Sequence, residues 1–452
     1  MNQIFGYQVA SKDVPFRESA FVGLQEVLLN GKQRKIKIFM QPRSSLQCCY
    51  SKEYDAYAYV WGIPAHHEVA MPDIPEWCIK VVFEKRYDSF RDLLGTFVVI
   101  IDEPKQNRVT FVTDILGIRP MFLGSKNGRI VFGSNVWDMY NMGMSDGKID
   151  YDSVSSWIAY KYNCTEGSLF TDLKRLPHGS VVVIQDGKQT QFRYTYFSPK
   201  SQHISTNQAA DELHYIISAN VKKLLADYSK VSISLSGGYD SRYLVALISS
   251  LTKVSFECIT VDYIEEGNIA RKVAETLGIS LKSIPVGNSI WDIYDQVYHF
   301  MADGFPISKF VTYCIAQRNP TVPMINGFLG DSLAPVSEDT YLGKYETELD
   351  GNLIDILQCK FSSVSYKIFR KDIAKRIQNR SRIPMEKAVQ EGSKIGKIFA
   401  WANFYYRLRY YTSNNFLQHL DITEALLPFY SYDTVAYKME HDTEYSIVAF
   451  IT

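Results

Sequence analysis

The sequence predicts an α+β N-terminal half built of antiparallel sheets, followed by an α/β half with a parallel sheet and a helical C-terminal region. Up to about residue 195 the apolar residues fall in short β-rich runs separated by turn signals, as stacked hairpins require. A polar stretch, Ser198-Pro199-Lys200-Ser201-Gln202, then interrupts the chain. Beyond it the apolar period becomes helical and short strands alternate with helices, the signature of a parallel sheet with right-handed crossovers. Two domains are expected, residues 1–197 and 205–452.

In the first half the β-rich runs are Val81-Val82-Phe83, Gly95 to Ile101, Arg108 to Val112, Arg129 to Phe132 and Ser180 to Ile184. Asp102-Glu103-Pro104, Lys126-Asn127-Gly128 and Gln185-Asp186-Gly187 read as turns between them. In the second half Thr206 can cap a helix whose apolar positions Leu213, Ile216, Ile217, Val221, Leu224 and Leu225 recur at helical spacing. Val231 to Leu235 is then a short buried strand, followed by a helix ending near Leu251. Val254 to Val261 is a second strand, Glu266 to Leu277 a helix closed by Gly278, and Leu281 to Val286 a third strand. From about residue 289 the pattern is mostly helical, with Thr321 to Asn326 a further strand.

Composition excludes several classes. Lys+Arg and Asp+Glu both count 49, so no net charge advertises a nucleic-acid partner. The best apolar run, Phe97 to Ile101, is stopped by Asp102, far short of the ~18 residues of a membrane helix, so no membrane insertion is expected. Met1-Asn2-Gln3-Ile4 lacks the basic start and apolar stretch of a secretory signal, which points to the cytoplasm. The seven cysteines are scattered without a C-x-x-C pair, against both a disulfide framework and a zinc site; Cys48 and Cys49 read as buried apolar fillers. His66 and His67 read as surface residues. The aromatic load, 31 Tyr, 25 Phe and 6 Trp, suits wide pockets or large interfaces.

One string carries chemistry. Ser236-Gly237-Gly238-Tyr239-Asp240-Ser241 sits at the C-terminal end of the first parallel strand and opens a helix, where open α/β sheets bind ligands. Two glycines admit an anion, the serines supply hydroxyls and the helix start supplies N–H groups, so phosphate is the natural guest. A carboxylate beside phosphate makes sense if Asp240 holds Mg²⁺. Gly392-Ser393-Lys394-Ile395-Gly396-Lys397-Ile398 is one residue short of a Walker A loop and lacks its final hydroxyl, so it reads as an exposed basic stretch.

The 236–241 string resembles the S-G-G-x-D-S pyrophosphate loop of the ATP pyrophosphatases. Upstream, Leu94-Gly95-Thr96-Phe97 through Asp102, Thr113-Asp114-Ile115-Leu116-Gly117-Ile118-Arg119-Pro120-Met121 and Val131-Phe132-Gly133-Ser134-Asn135 resemble three consecutive segments of the class II glutamine amidotransferase domain. In this order they make the chain similar to the asparagine synthetase-like family. The resemblance implies an Ntn-hydrolase-like antiparallel sandwich, then an adenine nucleotide α-hydrolase-like domain that uses ATP and Mg²⁺. It places nucleotide at Leu235, Ser236, Gly237, Gly238, Asp240, Ser241, Val261 and Gly327, with Asp240 and Asp331 holding the metal. Asp331 lies in Asn326-Gly327-Phe328-Leu329-Gly330-Asp331-Ser332, which aligns with the family segment S-G-E-G-x-D-E.

Three departures qualify the likeness. Glutamine-hydrolysing members begin, after Met removal, with a cysteine whose own α-amine acts as base; here position 2 is Asn, so no glutaminase is expected. Phe328 stands where asparagine synthetases carry a glutamate thought to help form the amide. Members usually continue past the segment resembling Leu427-Pro428-Phe429-Tyr430-Ser431-Tyr432-Asp433 into a helix with a pyrophosphate-contacting lysine; the sequence given stops at Thr452, so three expectations stay open: a truncated chain, Lys438, Arg407 or Arg409 as a substitute, or lost activity. Phe399 to Phe416 interleaves aromatics with Arg407 and Arg409, a helix expected to pack into the synthetase core with one arginine lining the acyl-adenylate pocket.

The leading expectation is an AMP-forming ligase that joins a small-molecule or peptide carboxylate to ammonia or an amine, with Asp240, Asp331, Lys438 and Arg409 in catalysis. Sugar-acid amidation in surface polysaccharide synthesis, a lasso-peptide or β-lactam type cyclase, and asparagine synthetase itself stay open. So do a non-catalytic binding homologue and a homodimer. Modification of tRNA ranks lower, given zero net charge and no C-x-x-C.

Overall fold

The computed structural model describes residues 3–8, 24–27, 36–40, 45–197, 202–261, 264–285, 322–333, 352–362, 366–413, 417, 420 and 423–442. Asn2, Val286, Cys314, Thr321, Phe416 and Thr452 lie outside them.

Two six-stranded antiparallel sheets make the first half. One runs, in spatial order, Leu173–Arg175, Phe122–Lys126, Arg129–Gly133, Ile4–Gln8, Ile36–Met40 and Gln25–Glu26. The other runs Lys188–Arg193, Ser180–Gln185, Arg108–Thr113, Phe97–Glu103, Ala56–Gly62 and Leu46–Ser51. Alternation decides which side chains face which layer. Tyr57, Tyr59, Trp61, Val98, Ile100 and Phe111 pack inward against Ile4, Ile38 and Phe132 of the opposite sheet. Their neighbours Ala58, Val60, Phe97, Val99 and Ile101 face outward, onto the helix Ile74–Phe83 and the second half. On the other outer face the helix Val136–Asn141 covers Phe5 and Val131, so the order of layers is helix, sheet, sheet, helix.

The second half carries a five-stranded sheet in which every pairing is parallel. Its order is Leu281–Ile284, Ser255–Val261, Lys230–Ser234, Met324–Ile325, Ala425–Leu426. The chain starts in the middle strand, winds out to one edge, and returns to fill the other side. The order therefore reverses between Lys230–Ser234 and Met324–Ile325, the switch point where such sheets open a crevice. The helix Thr206–Leu225 leads into the sheet, and Tyr239–Leu251 and Ile264–Leu277 connect its first three strands; Gly278, at φ +64°, ends the last of these helices in the left-handed conformation glycine tolerates. One continuous apolar core runs from Ala56 in the outer face of the second sheet to Met439 near the end, so the two halves share it.

Several expectations are corrected. Val81-Val82-Phe83 is the last turn of the helix Ile74–Phe83, because Ile74, Cys78, Ile79, Val81 and Val82 form one buried helical face and Pro75 starts it. Ser205, not Thr206, caps the following long helix, its hydroxyl accepting from the Gln208 N–H at 3.2 Å. His66 is buried, its Nδ1 accepting from the backbone N–H groups of Glu68 and Val69 at 3.0 and 3.1 Å, whereas His67 is exposed as expected. Cys48 and Cys49 are half-buried on the edge strand Leu46–Ser51, not core fillers. Lys397 in the 392–398 stretch is buried and ion-paired to Asp442. Among the described residues no helix is long and apolar enough to cross a membrane.

Candidate functional site

The strand Lys230–Ser234 delivers its last residues to the switch point. Leu235 is buried and still tied to the sheet, donating its N–H to the Ile259 carbonyl at 2.9 Å. At Ser236 the chain leaves the sheet and Gly238, in an extended conformation, starts the helix Tyr239–Leu251. The two serines build the loop from inside. The Ser236 N–H donates to Ser241 Oγ at 3.1 Å, the Gly238 N–H donates to Ser236 Oγ at 3.2 Å, and the two hydroxyls meet at 3.1 Å. Ser241 is buried and Gly238 exposed, so the serines hold the loop's shape while Gly238 and the first helical turn face outward. Gly238 has φ −73°, so glycine is not demanded there by dihedral strain; it leaves the helix start uncapped by any side chain and open to an anion.

Asp240 and Asp331 are brought together from opposite sides of the switch point. The Asp331 N–H donates to Asp240 Oδ2 at 3.1 Å. The approach needs glycine: a Cβ at Gly330 would collide with the Asp240 carboxyl carbon and both of its oxygens, and one at Gly327 would lie 3.1 Å from Asp240 Cβ. Burial first, then the charge of Asp331, push the Asp240 carboxyl up to about 6, against the backbone hydrogen bond that lowers it. Two close carboxylates at a helix start are a hard-oxygen donor set of the kind that binds Mg²⁺ together with phosphate oxygens. Among the described residues no cluster of three or more metal-ligating side chains occurs.

Phe328 is buried, edge-on to Tyr430 at 6.3 Å between ring centroids, so an apolar contact occupies the place of the family's glutamate. Leu329 adopts φ +81°, a left-handed conformation at a position where the aligned pattern has glycine. Val261 is buried at the end of the strand Ser255–Val261; its chain neighbours beyond are not described.

The two basic candidates stand elsewhere. Arg409 lies in the π-helix Asn403–Thr412 and is 3% exposed. It turns to the first half, its Nη2 donating to the Leu176 carbonyl at 2.7 Å and its Nε to the Gly117 carbonyl at 3.4 Å. Lys438 is buried on the helix Tyr432–Glu440, which packs chiefly on Thr206–Leu225 and Ile398–Ala402. Sequence reading missed Gly330, Ser332 and Asn403. The Asn403 amide reaches Ser332 Oγ at 3.5 Å, and Ser332 donates to Asp331 Oδ1 at 3.1 Å. Of these only Gly330 left a signal, as the residue before a candidate metal ligand.

Comparison with known proteins finds a match within each half. A family model described as a glutamine amidotransferase domain matches residues 75–195, and one described as asparagine synthase matches residues 212–331. No curated protein matches the sequence. Among solved structures, the glutamine phosphoribosylpyrophosphate amidotransferase from B. subtilis, complexed with ADP and GMP, is similar at 12% identity and TM-score 0.28, over 72% of this chain and 75% of that one. An NH3-dependent NAD synthetase from Campylobacter jejuni is similar at 14% identity and TM-score 0.22, over 43% of this chain and 97% of that one. With a parallel sheet whose switch point carries an S-G-G-x-D-S loop, and two sandwiched antiparallel sheets before it, the chain has an asparagine synthetase-like architecture: a glutamine amidotransferase-like N-terminal domain followed by an asparagine synthase domain.

Proposed function

We propose that the chain is an ATP-dependent amide-forming ligase, with domains at residues 1–197 and 205–452, that activates a substrate carboxylate at the 236–241 loop. The observation that carries this is the meeting of Asp240 and Asp331, enforced by Gly330, at the helix start beside Gly238. In the reaction a carboxylate oxygen of the substrate attacks the α-phosphorus of ATP and the bond to the bridging oxygen breaks, releasing pyrophosphate. The acyl-adenylate is then captured by ammonia or an amine, with AMP leaving and the nitrogen's proton lost to solvent. Asp240 and Asp331 would hold Mg²⁺, which supplies charge neutralisation for the departing pyrophosphate. The Gly238 end of the loop and the first turn of the helix Tyr239–Leu251 present N–H groups to the phosphates, and buried Ser241 keeps that turn in place.

We further propose that the first half does not hydrolyse glutamine. All four of its cysteines, Cys48, Cys49, Cys78 and Cys164, carry thiols pushed up by burial, Cys49 to about 12 with Glu76 beside it. None is poised as a thiolate. The buried Phe328 argues against the aspartate-plus-ammonia reaction and for another carboxylate, such as a sugar acid or a peptide side chain.

The test is exchange of labelled pyrophosphate into ATP with panels of carboxylic acids and Mg²⁺. Exchange with at least one acid, reduced about a hundredfold or more in Asp240→Ala and in Gly330→Ala, is expected. Exchange with aspartate alone would return the protein to asparagine synthesis. No exchange with any acid, together with no ATP binding, would leave a binding protein. Glutamate released from glutamine at a measurable rate would overturn the second proposal.

A further inference from the structure

The interface between the halves forms a half-open cavity of about 190 Å³ that the nucleotide loop does not line. Its wall includes Glu166 and His178 of the first half, Lys387 and Glu391 of the helix Lys371–Ser393, and Tyr405 and Arg409 of the π-helix. We propose that this cavity binds a small carboxylate of amino-acid size, held by Arg409 and Lys387 with His178 as a further donor.

Arg409 is the first reason. A guanidinium at 3% exposure is costly unless an anion answers it, yet its hydrogen bonds go to two neutral carbonyls, those of Gly117 and Leu176. Among the described residues no carboxylate pairs with it. The carboxylates on the same wall are already committed: Glu166 to Lys387, and Glu391 to the Trp401 indole N–H at 3.0 Å and the Tyr406 hydroxyl at 3.4 Å.

His178 is the second. Its Nε2 accepts from Arg193 Nη2 at 2.8 Å, which leaves the ring proton on Nδ1, and Nδ1 is buried with no partner. Burial, then Arg193, Arg409 and Lys387, drive this imidazole well below its usual range, so it stays neutral and donates one hydrogen bond. With His178 neutral, the lining cations Lys387 and Arg409 balance Glu166 and Glu391, and the exposed Arg193 behind His178 adds positive charge beside the cavity.

Size and geometry agree. At roughly 30 Å³ per water the cavity holds about six waters, the bulk of a small amino or hydroxy acid. The wall is formed by a π-helix, a rare turn that occurs mostly at functional sites. That helix starts at Asn403, whose amide reaches Ser332 Oγ at 3.5 Å, and Ser332 in turn donates to Asp331, so one element lines the cavity and reaches the neighbour of the paired aspartates.

Calorimetric titration of the full chain, free of nucleotide, with acetate, glycine, L-glutamate and inorganic phosphate tests the proposal. Saturable binding of at least one carboxylate is expected, tighter than phosphate, and weakened about tenfold or more in both Arg409→Lys and Lys387→Met. Lys387 is 39% exposed, so its variant keeps the fold should Arg409→Lys lose it. Binding must persist in Asp240→Ala, which separates this site from the nucleotide loop and from the ligase reading. No saturable heat with any of the three carboxylates overturns the proposal. So do tighter phosphate binding, an affinity unchanged in Lys387→Met, or loss of binding in Asp240→Ala.

Discussion

Asp240 and Asp331 repel, and the fold holds them together anyway. Burial and the Asp331 charge raise the Asp240 carboxyl to about 6, above its unfolded value, so the protonated form is the one that favours folding. Its contribution is complete below about pH 4 and is lost as the pH rises through about 6. Metal-free protein should therefore gain on replacement with Asn, which keeps an acceptor for the Asp331 N–H. Stability of Asp240→Asn relative to the parent should rise by roughly 2–3 kcal/mol between pH 4 and pH 8, read from denaturant curves at each pH. A difference that does not change with pH would mean that the two carboxylates are not coupled as described. Millimolar Mg²⁺ should raise the parent above pH 6 and leave the variant unmoved. At this scale the sequence was legible where a motif names residue types, as at Ser236 to Ser241. At Gly330 it marked only a neighbour of a candidate metal ligand; the need for glycine there appears once Asp240 is folded against it.

Short elements depend on their ends. The helix Tyr432–Glu440 is nine residues long, too short to persist without capping and packing. Ser431 Oγ accepts from the Thr434 N–H at 3.2 Å, while Thr434 Oγ1 accepts from the Ser431 N–H at 3.1 Å. The Asn220 side chain adds a third bond, donating to Ser431 Oγ at 3.1 Å from the long helix Thr206–Leu225. Ser431→Ala leaves two buried N–H donors short of a partner and should cost about 2 kcal/mol in thermal or denaturant unfolding, whereas Ser431→Thr should retain most of it. A loss under half a kcal/mol would show the cap to be ornamental. Legibility at this scale followed period. Strands flanked by turn signals, such as Arg108–Thr113 and Ser180–Gln185, stand within a residue or two of where the sequence puts them. Val81-Val82-Phe83 misled because three strand-favouring residues in a row also fit the buried face of a helix begun at Pro75.

The two halves are joined by more than a linker. Arg119 of the first half, fully buried, is ion-paired to Glu424, next to the edge strand Ala425–Leu426 of the parallel sheet. Beside it the Tyr430 hydroxyl donates to Asp114 and accepts from the Leu116 N–H at 2.9 Å. Thus Asp114 and Arg119, motif residues of the first half, have partners in Tyr430 and Glu424, which flank the edge strand Ala425–Leu426 of the second half, and no local pattern could have disclosed this. Glu424→Gln strands a buried guanidinium and should destabilise by about 3–5 kcal/mol, whereas Arg119→Met with Glu424→Leu, which removes both charges, should cost far less. Because one apolar core crosses the same boundary, the parent should unfold in a single calorimetric transition. Glu424→Gln should keep a single transition at a lower temperature, since the shared apolar core is untouched. Two transitions in the parent would mean that the shared core does not couple the domains, and a Glu424→Gln cost below about 1 kcal/mol would mean that water reaches Arg119 when its partner is lost.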